Sequence, residues 1–271
     1  MDKLLSILRA CGTSIEEGAI ALTIGFLIFS VMERLYGFSP AKKTVRANLL
    51  DLQYAFISML YPPFIYFLIS GFFALRAIHY SDSSHNPDIT PLTFAGEVLI
   101  LLVVRDCLIY LRHRIFHLPK VWAFHSIHHS SEEVNWISAA RFHPAENIIE
   151  ASGEIVLFIV ATLIGFDAWV LSAAGLLIGF YNFFIHSNLR WTFGPLRYVL
   201  VSPVFHRWHH SDLPEAMDKN FAAMFSCLDL AFGTFYMPEG ILPHTVGLSS
   251  EEKTTHPRSL AGQLLYPFKK R

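Results

Sequence analysis

The amino-acid sequence predicts an all-α integral membrane protein with four to five transmembrane helices and a cytoplasmic helical cap that carries clustered histidines. Of the 271 residues, 53% are hydrophobic and only 16% are charged, whereas soluble proteins are roughly 25% charged. Several apolar tracts approach the length of about 20 residues that a membrane-spanning helix needs. We divide the chain into N-terminal membrane spans (1–91), a histidine-rich region (92–238) and a C-terminal tail (239–271).

The apolar tracts define the predicted spans. The first three cover residues 18–36, 52–78 and 92–111. Pro62 and Pro63 interrupt the second span and should kink or break it. A fourth tract, residues 155–185, is too long for one pass. Gly165, Phe166 and Asp167 interrupt it, which predicts a hairpin of two short passes.

The distribution of basic residues sets the predicted orientation. The loop at residues 37–51 carries Lys42, Lys43 and Arg46, whereas the loop at residues 79–91 has no Lys or Arg. Basic loops favour the cytoplasmic side. With the first loop inside and the hairpin at residues 155–185, every histidine group reaches the cytoplasmic side of the membrane.

The histidines fall into three groups with helical spacing. They are the pair His113 and His117, the triplet His125, His128 and His129, and the triplet His206, His209 and His210. Spacings of three and four place side chains on one face of a helix. Each triplet should therefore aim three imidazoles at one point. Eight imidazoles exceed the needs of one tetrahedral ion, which indicates a two-metal site.

Charge and cysteine content exclude several other classes. The formal net charge of −1 gives no basic field for nucleic acid, so we expect no nucleic-acid partner. Cys11, Cys107 and Cys227 are isolated in the sequence. They form neither a disulfide framework nor a thiolate zinc finger.

Six segments between about residues 100 and 238 carry a family resemblance. They are DCLIYLRHRIFH (106–117), HSIHHS (125–130), RFHPAE (141–146), YNFFIHSN (181–188), HRWHHS (206–211) and residues 220–235, which end in LDLAFGTF. In these segments and their order the chain resembles the fatty acid hydroxylase and sterol desaturase superfamily. Members of that superfamily are integral membrane oxygenases with a histidine-bound di-iron centre.

The resemblance implies a set of metal ligands for two iron ions. The implied ligands are His113, His117, His125, His128, His129, His186, His206, His209 and His210. The family often has a further ligand-type residue four positions before the equivalent of His186, and this chain has Asn182 there. We expect no catalytic residues beyond these metal ligands.

Histidines that bind metal usually donate their other ring N–H to a carboxylate or carbonyl. Asp106 lies two helical turns before His113 and is one predicted partner. His143, which precedes Pro144, could support the site or cap a turn. Further predicted carboxylate partners are Asp212, Asp229, Glu132, Glu133 and Glu146. Four other histidines lie in polar loops and are predicted to be solvated: His79, His85, His244 and His256.

The resemblance implies an O2-dependent oxidoreductase that hydroxylates, or desaturates, a lipid such as a fatty acyl chain or sterol. Oxidising an unactivated C–H bond needs a redox metal, because no side chain can supply that oxidation. The sequence has no GxGxxG motif and no haem-binding cysteine motif, so we expect electrons from a separate reductase with ferredoxin or cytochrome. Two alternatives stay open: a zinc-dependent membrane hydrolase and a non-catalytic membrane scaffold.

Overall fold

The computed structural model describes residues 20, 23–38, 45–59 and 89–269, and these residues form helices joined by loops. The α-helices, numbered here in chain order, are α1 (Val31–Tyr36), α2 (Val45–Ser58), α3 (Pro91–Phe116), α4 (Trp122–His129), α5 (Pro144–Leu163), α6 (Ala168–His186), α7 (Pro203–His209), α8 (Cys227–Ala231), α9 (Ser250–Thr255) and α10 (Leu260–Leu265). A π-helical turn, Phe26–Ser30, leads into α1. Short 3-10 helices cover Trp136–Ala140, Gly194–Tyr198, Pro214–Ala216 and Tyr266–Phe268. Within the described ranges no β-strand forms, which confirms the all-α prediction there.

Helix α3 carries the first histidine pair to the site. Thr90 caps its start by accepting a hydrogen bond from the backbone N–H of Thr93, and Pro91 occupies the first turn. Proline suits this position because the first amides of a helix need no intrahelical partner. The helix has 26 residues, about 39 Å at 1.5 Å per residue. It continues past the predicted span at residues 92–111, so His113 lies in its last turn and His117 at its C-terminal cap.

Of the described helices, only α6 is both long and apolar enough to cross a membrane, through residues Trp169–His186. Helix α3 is longer, but charged residues interrupt its apolar sequence, including Arg105 and Arg112. The predicted span at residues 18–36 is described only in part. Most of the span at 52–78, with Pro62 and Pro63, and the loop at 79–88 lie outside the described residues, as do Lys42 and Lys43. The number of spans and their orientation therefore stay predictions.

The predicted interruption at residues 165–167 is where α5 ends and α6 begins. Gly165 has φ +101°, a conformation that other residues rarely adopt. Asp167 then caps α6, because its side chain accepts a hydrogen bond from the backbone N–H of Trp169 at 2.8 Å. Glu146 near the start of α5 and His186 at the end of α6 both contact histidines of α4. The two helices thus leave the histidine site and return to it, as a hairpin does.

The packing of α3, α5 and α6 leaves their outer faces apolar. Buried Leu101, Leu157 and Ala174 belong to one apolar cluster between the three helices. On the outside, Ile100 of α3 and Leu176 of α6 are large exposed side chains. Extensive apolar surface is unusual on a soluble monomer and suits contact with lipid. This exterior agrees with the composition in favouring membrane residence.

A cap of short helices covers the end of this bundle. Phe29, Tyr110, Phe205 and Trp208 are almost fully buried in one cluster that joins the π-helical turn, α3 and α7. Burying each side chain of this size contributes roughly 1.5–3 kcal/mol. The cluster therefore fixes α7, which carries the second triplet, within the cap and next to α6.

Two polar contacts attach outlying segments to the cap. Asp51 of α2 forms a fully buried ion pair with Arg141. In the C-terminal tail, the Glu252 carboxylate accepts a hydrogen bond from Trp122 Nε1 at 2.6 Å. Helix α4, which carries the first triplet, is therefore fixed by contacts from the tail.

Candidate metal centre

Nine buried or half-buried histidines form two adjacent groups. The five-histidine group contains His113, His117, His125, His129 and His209. The four-histidine group contains His128, His186, His206 and His210. Within each group, one nitrogen of every ring lies within 4.8 Å of the others. The structure thus brings together all nine histidines that the sequence predicts as ligands.

The division of the triplets differs from the prediction. Each triplet was expected to aim three imidazoles at one point, but each contributes to both groups. His125 and His129 of α4 join one group and His128 joins the other. At 100° per residue, positions four apart differ by only about 40° around a helix, whereas the third position points about 60° to the other side. The helical geometry therefore separates the middle histidine from its neighbours.

The C-termini of four helices converge on these histidines. His113 lies in the last turn of α3, His129 ends α4, His186 ends α6 and His209 ends α7. The C-terminus of a helix carries partial negative charge. Four such ends create an electrostatic environment that favours cations over anions.

For α7, Ser202 and Pro203 define the start of the helix, since Ser202 Oγ accepts a hydrogen bond from Phe205 N at 3.1 Å.

In six of the nine rings Nδ1 has a hydrogen-bond acceptor. The acceptors are Phe221 O for His113 (2.9 Å), Asp218 Oδ1 for His117 (3.0 Å), Glu146 Oε1 for His125 (2.7 Å), Arg141 O for His128 (3.2 Å), Asn182 O for His186 (2.8 Å) and Lys219 O for His209 (2.7 Å). A carbonyl oxygen can only accept, so Nδ1 carries the proton in the rings that face one. Nε2 then keeps a free lone pair directed into the site, which is the form that binds metal.

The Nε2 atoms approach each other closely. His113 Nε2 lies 3.0 Å from His125 Nε2, and His128 Nε2 lies 3.2 Å from His186 Nε2. When both Nδ1 atoms are protonated, two lone pairs face each other and repel unless a cation lies between them. Ring nitrogens bound to one ion at about 2.1 Å and at right angles lie roughly 3 Å apart. Buried Nε2 atoms without a partner occur on His117, His129 and His209. The donor set therefore fits transition-metal ions.

Burial also keeps the cap histidines neutral. Desolvation, with the repulsion expected from neighbouring imidazoles, lowers the pKa of His125 and His128 well below the ordinary value of 6.5. The same causes lower the pKa of His206 and His209 well below that value. Neutral imidazole is the ligand form. The site is thus held in a metal-binding protonation state at neutral pH.

A cavity of about 350 Å³ opens beside both groups. Its histidine lining comprises His113, His125, His128, His186 and His206. Apolar side chains such as Ile109, Ile178 and Phe183 line it as well. A molecule in this cavity would contact both histidine groups at once.

The comparisons with known proteins agree with this geometry. A family model described as fatty acid hydroxylase matches residues 98–234, about half of the chain. The chain belongs to the fatty acid hydroxylase family. This confirms the resemblance seen in the sequence motifs, and the matched segment includes all nine histidines of the two groups.

Sequence identity to individual members of the family is between 27% and 36% for three relatives. The chain is 27% identical over 187 residues to the ornithine lipid hydroxylase of Rhizobium tropici, an alignment that covers 68% of this chain and 54% of that protein. It is 31% identical over 162 residues to the alkylglycerol monooxygenase of Caenorhabditis elegans, covering 58% and 30% of the two chains. The alkylglycerol monooxygenase of Danio rerio is 36% identical over 127 residues, covering 46% and 27%. The chain thus spans about half, or less, of the length of these relatives. No solved structure is significantly similar to it.

Two of the predicted carboxylate partners, Asp106 and Asp229, do not contact the histidines directly. Asp106 does not accept from His113; its carboxylate accepts hydrogen bonds from the backbone N–H groups of residues 223–225. Asp229 accepts from the backbone N–H groups of Phe221 and Ala222. Both carboxylates shape the segment whose Phe221 carbonyl accepts from His113. Their side chains are turned to these amides because the loop would otherwise bury unpaired N–H groups.

His143 caps a helix rather than supporting a metal ligand. Its Nδ1 accepts a hydrogen bond from Ala145 N at 3.0 Å, and its Nε2 lies 3.1 Å from Leu264 O. Asn182, in contrast, lines the cavity, and its backbone carbonyl accepts a hydrogen bond from His186 Nδ1. Whether Asn182 ligates metal stays a prediction.

The remaining sequence expectations have mixed outcomes. Asp212 pairs with Lys253 instead of a site histidine. His244 is exposed as expected, but His256 is buried, 3.4 Å from Ser126 Oγ. The prediction that His256 is solvated is wrong because the C-terminal tail folds onto α4. His79 and His85 lie outside the described residues.

Sequence reasoning missed Asp218 as a partner of His117. Its carboxylate lies 101 positions further along the chain and is itself exposed. No local pattern connects the two residues. The backbone acceptors at Arg141, Lys219 and Phe221 likewise have no signature in side-chain identity.

Proposed function

We propose that this protein is a membrane-bound, O2-dependent hydroxylase of a lipid, with two iron ions bound by the two histidine groups. The observation that carries this proposal is the pair of imidazole groups beside one shared cavity, with Nδ1 held by an acceptor in six of the nine rings. Ornithine lipid hydroxylase and alkylglycerol monooxygenase are names of lipid-oxidising enzymes, and both relatives support this reaction class.

Hydroxylation of a C–H bond balances as one substrate, one O2, two electrons and two protons giving one alcohol and one water. Bound iron would supply the redox chemistry that amino-acid side chains lack. We propose that the two electrons come from a separate electron-transfer protein, such as a reductase with ferredoxin or cytochrome. Desaturation uses the same O2 and electrons but removes two hydrogens from the lipid.

The protein's own residues would hold the ions, orient them and exclude water. Carbonyl and carboxylate acceptors fix the imidazole rings, as partners of metal-bound histidines generally do. Ile109, Ile178 and Phe183 would hold an apolar chain beside both groups. A fixed substrate position next to the ions would select which carbon reacts.

We propose a multi-pass membrane arrangement with the metal site on the cytoplasmic side. Support comes from the apolar helix α6 and from the α5–α6 hairpin, whose two ends meet at the site. The basic residues Lys42, Lys43 and Arg46 favour the cytoplasmic side for that end of the bundle. Labelling of single cysteines introduced at Ser84 and at the exposed Glu132 tests this: opposite sides are expected, and labelling from the same side would contradict the arrangement.

The reaction is tested with iron-loaded protein in lipid, a reducing system and isotopically labelled dioxygen. Label in a new lipid hydroxyl is the expected result. His128→Ala should abolish it, whereas His244→Ala, at an exposed histidine, should not. A new double bond without label would instead identify a desaturase. Product formation without oxygen, or hydrolysis with zinc alone, would contradict the oxygenase proposal, and a protein that binds no metal would be a scaffold.

A further inference from the structure

Both apolar and charged side chains line the cavity beside the histidines. Ile178 and Phe183 of α6 give it an apolar wall. Arg105 and Arg112 of α3 and Glu150 of α5 line the same cavity. We call these three residues, together with Glu154, the ion-pair partner of Arg105, the charged wall.

Ion pairs across the two helices hold the charged wall together. Arg112 Nη2 lies 3.0 Å from Glu150 Oε1, and Arg105 Nε lies 2.6 Å from Glu154 Oε1. The two arginines are seven residues apart and the two glutamates are four apart, so each pair shares one helix face. The four side chains are 12–28% exposed. Both signs of charge are therefore present at the cavity.

Charges at this position need an explanation. Ionisable residues within apolar helices are costly and are usually functional. Replacing a buried ion pair by apolar residues is often neutral or stabilising, so joining α3 to α5 does not by itself require charges. Arg112 and Glu150 also line the cavity rather than a closed helix interface.

The charged wall begins next to the histidines. Arg112 immediately precedes His113. Glu150 lies one turn of α5 beyond Glu146, which contacts His125, and four helical residues rise about 6 Å. A polar group bound between Arg112 and Glu150 would thus lie only about one helical turn from the metal-facing imidazoles.

We propose that the charged wall binds the headgroup of a zwitterionic lipid, with its anionic group at Arg112 and its cationic group at Glu150. The proposal rests on the proposed lipid hydroxylation and specifies its substrate class. The oxidised carbon is then within a few bonds of the headgroup rather than deep in the acyl chain. A free fatty acid fits less well, because its single carboxylate would lie close to the glutamates.

Binding to the metal-free protein in detergent tests this without turnover. A fluorescent acyl probe is displaced by an N-acyl-ornithine, which is zwitterionic, or by a fatty acid or monoacylglycerol of the same chain length. We expect the N-acyl-ornithine to bind about tenfold or more tightly than the other two, since hydrogen bonds to charged groups are worth that factor. Equal binding of all three would overturn the proposal, whether or not the protein hydroxylates lipids.

Variants of the charged wall test whether it causes the preference for N-acyl-ornithine. Glu150→Gln and Arg112→Gln should each reduce the preference about tenfold, and Glu251→Gln, at an exposed carboxylate, should retain it. The double variant Arg112→Leu with Glu150→Leu replaces the ion pair by apolar packing. It should still bind the acyl probe but lose the preference, and a folded double variant that keeps the preference would overturn the assignment. Free ornithine should displace the probe less well than N-acyl-ornithine does. Equal displacement by free ornithine would also overturn the proposal, because the ligand would then be a water-soluble zwitterion and not a lipid.

Discussion

Glu146 offers the sharpest test of how the imidazoles are oriented. Its Oε1 lies 2.7 Å from His125 Nδ1, and both side chains are almost fully buried. Glu146→Ala removes the acceptor in a place where water has little access. Loss of such a partner typically weakens metal binding 10- to 100-fold, or about 1.4–2.7 kcal/mol.

Two variants separate charge from hydrogen bonding. Glu146→Gln keeps a carbonyl acceptor but cannot form the charge-assisted hydrogen bond that an ionised carboxylate gives an imidazole, and such bonds are roughly twice as strong as neutral ones. We therefore expect a loss of about tenfold for Glu146→Gln and up to 100-fold for Glu146→Ala. Glu251→Gln removes an exposed carboxylate and should bind metal as the unmodified protein does.

The assay is anaerobic competition for ferrous iron against a chromophoric chelator, with circular dichroism as the check on folding. Because His125 belongs to the five-histidine group, the weakened ion should be one of two. Unchanged affinity in a folded Glu146→Ala variant would refute the reasoning. Equal weakening of both ions would show that Glu146 acts through the general packing of α5 instead.

Three further predictions follow from single contacts. His209→Ala and His128→Ala remove one imidazole from different groups, so each should lower the metal-to-protein ratio by about one, measured by elemental analysis. In the metal-free protein, the folded-state pKa of buried His206 is well below 6.5. As pH falls through and below 6.5, the unfolded chain takes up protons that the folded chain does not. The free energy of unfolding, measured by chemical denaturation, should therefore fall by up to about 1.4 kcal/mol per pH unit for each such histidine. A flat profile between pH 7 and 5 would contradict this. Asp51→Ala leaves Arg141 buried without its carboxylate and should cost roughly 3–5 kcal/mol of unfolding free energy by the same measurement, against a negligible change for Glu251→Ala.

The sequence contains the local determinants of the fold. Apolar composition identifies α6 as a candidate membrane helix, and the break between α5 and α6 coincides with Gly165, which adopts a positive φ, and with Asp167, which caps α6. Helical spacing identifies the histidines because side chains three and four residues apart are always neighbours on a helix. These features depend on short stretches of chain and are therefore readable without tertiary structure.

The partners of the imidazoles depend on tertiary structure instead. Asp106 has the right spacing to support His113, but three backbone amides from residues 223–225 compete for the same carboxylate. His113 pairs with the carbonyl of Phe221, which any residue type could supply. Burial of His256 likewise depends on where the C-terminal tail docks. The spacing of residues in the sequence does not determine which hydrogen-bond acceptor lies next to a given ring in the folded protein.

The repeated spacing of 0, 3 and 4 has a physical meaning that emerges from the division of the groups. Helix α4 gives two rings to the five-histidine group and one to the other, whereas α7, with His210 at its cap, gives two rings to the four-histidine group and one to the first. Two short helices with this spacing therefore link two neighbouring sites reciprocally. The pair on α3 completes one group and His186 completes the other. Substituting one histidine should disturb one ion, but displacing either helix would disturb both. The contacts that fix α4 and α7 lie outside the two histidine groups, and they include the hydrogen bond between Trp122 and Glu252 and the burial of Trp208. Because each helix serves both groups, these contacts help to hold both sets of imidazoles in place.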